Sequence, residues 1–175
     1  WEKFKFVPGA ISLLKSLGEQ GYSFIIISNQ AGIARGKYTV QDLDKIHQNM
    51  LQVFKENNIN VLNIYYCPHH WEENCTCRKP NSGMFVQASK DFKFRLDKTF
   101  YLGDDERDCL TAYNSNCRFI MYGEKYDQKR LSEYVQQTGY SPDLFAKNFG
   151  EVEQYILQFN KNSTCNNNTK FEVNK

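Results

Sequence analysis

Phe24-Ile25-Ile26-Ile27-Ser28-Asn29-Gln30 is a continuous apolar run that turns polar over its last three residues. Strands covered on both faces, as in parallel sheets, read as unbroken apolar runs, so this stretch predicts a buried parallel strand. Its polar end is a candidate binding edge, because open α/β sheets take ligands at the carboxyl ends of their strands. Upstream, Ala10, Ile11, Leu13, Leu14 and Leu17 recur at helical spacing behind Pro8, with Gly21 as a stop. Downstream, Thr39-Val40-Gln41-Asp42 has the form of a capping box with Asp in place of Glu. Leu43, Ile46, Met50 and Phe54 then line one face of a helix running toward Asn57.

Further along, strands are predicted over 61–66, 99–102 and 118–121, with a short edge strand over 144–146. Helices are predicted over 83–91, 106–114 and 149–159. Strand and helix alternate, which predicts an α/β fold with a parallel sheet. The chain opens on a helix with no strand to feed it, so its first β-α unit reads as cut in half. Residues 160–175 are Asn-rich and are expected to form a disordered tail beyond a single domain spanning 1–159.

A length of 175 residues suits one domain, and 41% hydrophobic with 15% aromatic residues is enough for a real core. Twenty-two basic against twenty acidic side chains leave a formal charge of +2, which argues against nucleic acid or membrane as partner and for a small charged metabolite. No apolar run approaches the roughly 18 residues needed to cross a bilayer, so a soluble, cytoplasmic protein is expected.

Three of the six cysteines fall within eleven residues, beside two histidines, in Cys67-Pro68-His69-His70 and Cys75-Thr76-Cys77. Clustered thiols and imidazoles point to a metal in a reducing compartment rather than to disulfides. Cys67, His69, Cys75 and Cys77 match a closed Cys3His zinc site, which leaves no position for an activated water and is therefore structural; His70 is the reserve ligand. Such a loop would hold the adjacent Arg78-Lys79-Pro80 in place. Cys109 and Cys117 read as small buried hydrophobes.

Three polar clusters, Ser28-Asn29-Gln30, Arg78-Lys79 and Asp104-Asp105 with Asp108, each follow a predicted strand or loop and would share one rim of a parallel sheet. A hydroxyl with exposed backbone N–H groups, a lysine and a carboxylate make a cradle for a phosphoryl group beside Mg²⁺.

In their order these clusters, with the zinc loop directly before the lysine and the run Ala31-Gly32-Ile33-Ala34-Arg35-Gly36, resemble the haloacid dehalogenase superfamily. Within it they are similar to the D-glycero-D-manno-heptose-1,7-bisphosphate 7-phosphatases and the related histidinol-phosphate phosphatases. The resemblance covers roughly residues 6 to 159. It implies a Rossmann-like three-layer fold with a zinc-loop insertion and a magnesium-dependent phosphatase acting through an aspartyl-phosphate. It implies Ser28, Lys79 and Asp104 as catalytic residues, Asp104 as the Mg²⁺ ligand, and Asn29, Gln30, Ala31, Arg78 and Asp105 as substrate contacts. Two departures stand out. The family's Asp-x-Asp-Gly-Thr nucleophile segment does not occur, so the first strand is expected to be missing from these residues, the nucleophile to lie upstream of Trp1, and the chain alone to be inactive. Asp42-Leu43-Asp44 is the one Asp-x-Asp, and it reads as a solvated helix face. Asp105 stands where the heptose enzymes carry a lysine, and a carboxylate there repels phosphate unless Mg²⁺ or Arg107 offsets it.

The alternatives are a histidinol-phosphate phosphatase, an inactive module of a larger protein, and, more weakly for want of a basic stripe, a polynucleotide 3′-phosphatase. Fusion to, or encoding beside, nucleotide-sugar biosynthesis domains is compatible with the resemblance.

Overall fold

The computed structural model describes residues 4–123 and 128–165, with side chains described for 4–123 and 132–159. Strands and helices alternate along the chain. The elements are α1 (Ala10–Glu19), β1 (Phe24–Asn29), α2 (Val40–Glu56), β2 (Val61–Cys67), α3 (Gly83–Phe92), β3 (Phe100–Gly103), α4 (Glu106–Ser115), β4 (Arg118–Tyr122), α5 (Gln128–Thr138), β5 (Leu144–Ala146) and α6 (Phe149–Cys165). A one-turn 3₁₀ helix over Trp71–Glu73 lies in the loop after β2.

Among the described residues all strand pairings are parallel, in two separate sheets ordered β1-β2 and β3-β4-β5. The layering follows from alternation along β4. Ile120 packs with Leu13 and Leu17 of α1 and Val152 and Ile156 of α6, whereas Phe119 and Met121 pack with Cys109 and Ala112 of α4. Helices therefore cover both faces, as the apolar strand sequence requires. Each of the Leu, Ile, Val, Phe and Met side chains among these contributes about 1.5–3 kcal/mol by leaving water. On the other sheet, Met50 and Phe54 of α2 close over Ile26 and Ile64. Thr39 and Asp42 form the expected capping box, so the Asp42-Leu43-Asp44 stretch is a helix start on the surface.

Three features differ from the sequence reading. The sheet is divided in two where one was expected. Phe24 to Ser28 of β1 and Thr99 to Asp104 beside β3 line the same cavity, of about 700 Å³. Because consecutive residues of both segments line it, backbone edges and not one side-chain face border the cavity. Second, α5 was not anticipated: its eleven residues carry only Leu131, Tyr134 and Val135 as apolar positions, a weak helical signal. Third, α6 runs to Cys165, so residues 160–165 of the expected tail are helical. Asn, Lys and Ser disfavour helix by only a few tenths of a kcal/mol each, and no Gly or Pro stands there to stop it. The remainder of the expected tail, 166–175, lies outside the described residues. Among the described residues no helix is long and apolar enough to cross a membrane.

Candidate active site

Ser28 is the penultimate residue of β1, and its hydroxyl accepts a 3.0 Å hydrogen bond from Gln30 Nε2. Gln30 is held in turn by the Tyr38 hydroxyl, 2.6 Å from its Oε1. Gly32 allows this closure, since a Cβ there would come within 2.1 Å of the Tyr38 ring. Asn29 clamps the main chain of Lys79 twice: its Nδ2 donates to the Lys79 carbonyl at 3.1 Å, and its Oδ1 accepts from the Lys79 N–H at 3.0 Å. Two sequence-distant segments, the end of β1 and the loop after β2, are thereby locked together.

The Lys79 ammonium donates to Asp108 Oδ1 at 2.7 Å and to the Tyr101 hydroxyl at 2.8 Å, and Tyr101 itself donates to the same carboxylate oxygen at 2.6 Å. The side chains of Lys79 and Asp108 are only 14% and 6% exposed. A buried ion pair survives its desolvation only when its remaining polar atoms are satisfied. Asp108 meets that condition, because its Oδ2 accepts from the backbone N–H groups of Asp104 and Asp105 at 3.2 and 3.3 Å. Burial, and then the charge of Asp108, push the Tyr101 phenol up, so it stays a proton donor to that carboxylate. Gly103 is the close-packed partner here, as a Cβ on it would lie 2.5 Å from Asp108 Oδ2.

Ser28, Lys79, Gly103, Asp104 and Asp108 all line the 700 Å³ cavity. Arg78 lines a second cavity of about 280 Å³, which Lys79 also borders. Asn29 acts as the clamp on Lys79, and Ala31 lies in the turn beyond β1, where its carbonyl accepts from the Arg35 N–H at 3.1 Å. Asp105 lines neither cavity. It caps α4, accepting from the Arg107 N–H at 2.9 Å and from Arg107 Nε and Nη2 at 2.7 and 2.8 Å. That guanidinium holds the Asp105 carboxyl down at about 2.

Cys67, His69, Cys75 and Cys77 come together with all four ligand atoms within 4.8 Å of one another. Pairs separate by 3.5 Å (Cys67–His69 and Cys67–Cys75), 3.4 Å (Cys75–Cys77), 3.2 Å (Cys67–Cys77) and 3.1 Å (His69–Cys77). Such a knot could hold a metal ion. Burial, then the Cys77 hydrogen bond, push the Cys67 thiol up to about 12; burial also acts to raise Cys75, yet hydrogen bonds with Cys77 and the Arg78 backbone bring it down to about 7. Three thiols cannot all ionise at such distances without a cation among them. His70 stands apart, capping the 3₁₀ turn and lying against Trp71 with ring centroids 3.6 Å apart. Cys109 is buried and Cys117 packs beside it against the α4 core.

Comparison with known proteins places this geometry. A profile of the polynucleotide kinase 3 phosphatase family matches residues 1–150. The chain belongs to the polynucleotide kinase 3 phosphatase family. Among curated proteins, the D-glycero-beta-D-manno-heptose-1,7-bisphosphate 7-phosphatase of Helicobacter pylori is 40% identical over 118 residues, covering 67% of this chain and 68% of the relative. The Histidine biosynthesis bifunctional protein HisB of Campylobacter jejuni is 35% identical over 123 residues, which is 70% of this chain but only 35% of that protein. In fold, the family member is similar to the crystal structure of D,D-heptose 1,7-bisphosphate phosphatase from B. bronchiseptica complexed with magnesium and phosphate. The TM-score is 0.74 at 24% identity, covering 87% of this chain and 84% of that one. The fold is thus that of the haloacid dehalogenase-like phosphatases, with the expected Cys/His cluster in the loop after β2.

Tyr101 is the site residue that sequence reading missed. A buried aromatic on a strand is ordinarily core, and nothing in the sequence marks the hydroxyl that meets Lys79. Asp108 was grouped with the third cluster but given no role. Its position three residues after the N-cap Asp105 was the available signal, since that spacing turns a carboxylate back toward the helix start.

Proposed function

We propose that the chain supplies the phosphoryl-binding side of a magnesium-dependent sugar phosphate monoesterase. Its substrate is D-glycero-D-manno-heptose 1,7-bisphosphate, released as the 1-phosphate. One observation carries this reading: Ser28, Lys79 and Asp104, from three distant stretches of sequence, line one cavity. In it the Lys79 ammonium, held by Asp108 and Tyr101, neutralises phosphoryl oxygens as charge redistributes in an in-line displacement. Ser28 donates its hydroxyl to the same group while accepting from Gln30. Asp104 contributes a carboxylate to Mg²⁺, whose chemistry is to draw charge from the phosphoryl oxygens. Among the described residues the Cys/His set is the one cluster of three or more potential ligands, so Asp104 would share Mg²⁺ with substrate oxygens, water and groups outside these residues.

The reading takes the nucleophile to be an aspartate on a further parallel strand from a segment preceding Trp1. The edges of β1 and β3 along the cavity would receive it; its attack on phosphorus breaks the ester P–O bond, the sugar leaves as its alcohol with a proton from solvent, and water then hydrolyses the aspartyl-phosphate to the free carboxylate and inorganic phosphate. Zinc is the metal proposed for Cys67, His69, Cys75 and Cys77. Zn–S bonds of about 2.3 Å imply tetrahedral sulfur separations of about 3.8 Å, and five of the six ligand pairs lie inside that, at 3.1 to 3.5 Å. Thiolate ligation fits a reducing compartment such as the cytoplasm.

Heptose is preferred to histidinol phosphate because this chain spans 68% of the heptose relative and matches it at 40% identity, against 35% of the length and 35% identity for the HisB protein. A polynucleotide substrate, despite the family's description, suits a net charge of +2 poorly. The test is phosphate release by the full-length protein with Mg²⁺. The kcat/KM for heptose 1,7-bisphosphate should exceed that for histidinol phosphate by at least about 100-fold, since a site built around a substrate's polar groups rejects an analogue lacking them by up to about 10⁴–10⁵-fold. Faster turnover of histidinol phosphate, or of a 3′-phosphorylated oligonucleotide, would overturn the assignment.

A further inference from the structure

We propose that Tyr38 is a positioning residue: through the Gln30 carboxamide it keeps the hydrogen of the Ser28 hydroxyl turned toward the phosphoryl group. This rests on the phosphatase reading, in which Ser28 binds that group, and adds to it what sets the direction of the bond.

A serine hydroxyl has one hydrogen to give and lone pairs that accept, and it rotates to suit its neighbours. The Gln30 carboxamide, its partner here, can face it in two ways. With the amide nitrogen toward Ser28 it donates, and the serine hydrogen is left for substrate. With the amide oxygen toward Ser28 it accepts, and that hydrogen is consumed. Two distances separate these cases. The Tyr38 hydroxyl lies 2.6 Å from the Gln30 amide, inside the usual O–H···O range but short of the roughly 2.7–3.2 Å of N–H···O bonds. The Gln30 amide lies 3.0 Å from Ser28 Oγ, the common N–H···O distance. The phenol therefore donates to Gln30 Oε1, which leaves Gln30 Nε2 facing Ser28. Donation runs one way along Tyr38, Gln30 and Ser28, toward the cavity that Ser28 lines.

Local structure holds all three residues in place. Lys37 N–H donates to the Gly32 carbonyl at 2.8 Å, closing the turn that brings the chain back to Gln30. Tyr38 stands directly before the Thr39 capping box, so the start of α2 fixes its backbone. Gly32 leaves room for its ring, where a Cβ would come within 2.1 Å. Gln30 is anchored by its own N–H, which donates to the Cys67 carbonyl at the end of β2 at 2.7 Å. Tyr38 lines neither cavity, so it acts through Gln30 and not by touching substrate.

The experiment is a double-mutant cycle on the full-length protein with Mg²⁺, read as kcat/KM for heptose 1,7-bisphosphate and as calorimetric affinity for orthophosphate. Tyr38→Phe keeps the ring and removes the hydroxyl, and both quantities should fall by about 3- to 10-fold, the effect of one neutral hydrogen bond. In Ser28→Ala and in Gln30→Leu backgrounds the same change should alter them by less than about 2-fold, because the row is already broken. Where Ser28→Ala turns over too slowly, the phosphate affinity carries the cycle. Tyr65→Phe, which removes a phenol bonded to Asp91 on the surface, is the control and should stay within about 2-fold of wild type. A Tyr38 that serves the fold alone would cost as much in the Ser28→Ala background as in the wild type. That result, or an unchanged Tyr38→Phe, would overturn the positioning role while leaving the phosphatase reading standing. A Ser28→Ala protein equal to wild type in both quantities would overturn both.

Discussion

Replacing Lys79 by alanine should lower phosphate release by the full-length protein by about 10²–10³-fold, the usual cost of removing one positioned donor from a developing oxyanion. Lys79 has the features such a donor needs. It is mostly buried, its main chain is clamped by Asn29, and two of its ammonium hydrogens are already committed to Asp108 and Tyr101, which aims the remainder. The same substitution leaves the buried Asp108 carboxylate unpaired, a penalty of about 3–5 kcal/mol for a fully buried pair and less here because Lys79 keeps some solvent contact. Loss of activity could then reflect loss of fold. The double variant Lys79→Ala/Asp108→Asn separates the two. The amide keeps an oxygen for the Asp104 and Asp105 N–H groups but carries no charge, so the melting temperature should recover while turnover should not. Turnover returning together with stability would show that Lys79 serves the fold alone.

Cys75→Ser should act in the opposite sense, lowering the melting temperature by about 10 °C or more while changing kcat at 25 °C by no more than about 3-fold. A structural zinc site lends its binding free energy to folding, about 10–16 kcal/mol in small zinc peptides, and losing one of four ligands forfeits much of it. In a chain of this size each kcal/mol moves the midpoint by about 2–4 °C. The chemistry should survive because the loop is also fastened independently of the metal. Gln30 N–H donates to the Cys67 carbonyl at 2.7 Å, Gly83 N–H to the Thr76 carbonyl at 3.2 Å, and Asn29 grips Lys79. Elemental analysis should find about one zinc per wild-type chain. Absence of zinc, or a kcat that falls as steeply as stability, would refute a structural metal.

The parts of this molecule that were legible in its sequence are those set by local chemistry. The apolar run at Phe24–Ile27, the capping box at Thr39 and the compact spacing of Cys67, His69, Cys75 and Cys77 each follow from rules acting over a few residues. What escaped depends on contacts between distant residues. Tyr101 gains its role only because β3 brings its hydroxyl to Lys79, 22 positions away in sequence. Asp105, a substrate contact by the resemblance, also caps α4 and grips Arg107, a role set by the helix that starts immediately after it. The division of the sheet was equally hidden, since each strand reads the same whether its edge is paired or open. Helix α5 and the end of α6 failed for another reason: surface helices with few apolar positions differ from loops by only tenths of a kcal/mol per residue, too little for pattern reading to resolve.

The most direct measurement is a crystal structure of the full-length protein with Mg²⁺ and orthophosphate. One phosphate should lie with oxygens about 2.7–3.2 Å from both Lys79 Nζ and Ser28 Oγ, and Mg²⁺ about 2.0–2.1 Å from an Asp104 carboxylate oxygen. A phosphate and metal bound away from these three residues, with Lys79 still turned only to Asp108 and Tyr101, would contradict a shared phosphoryl site.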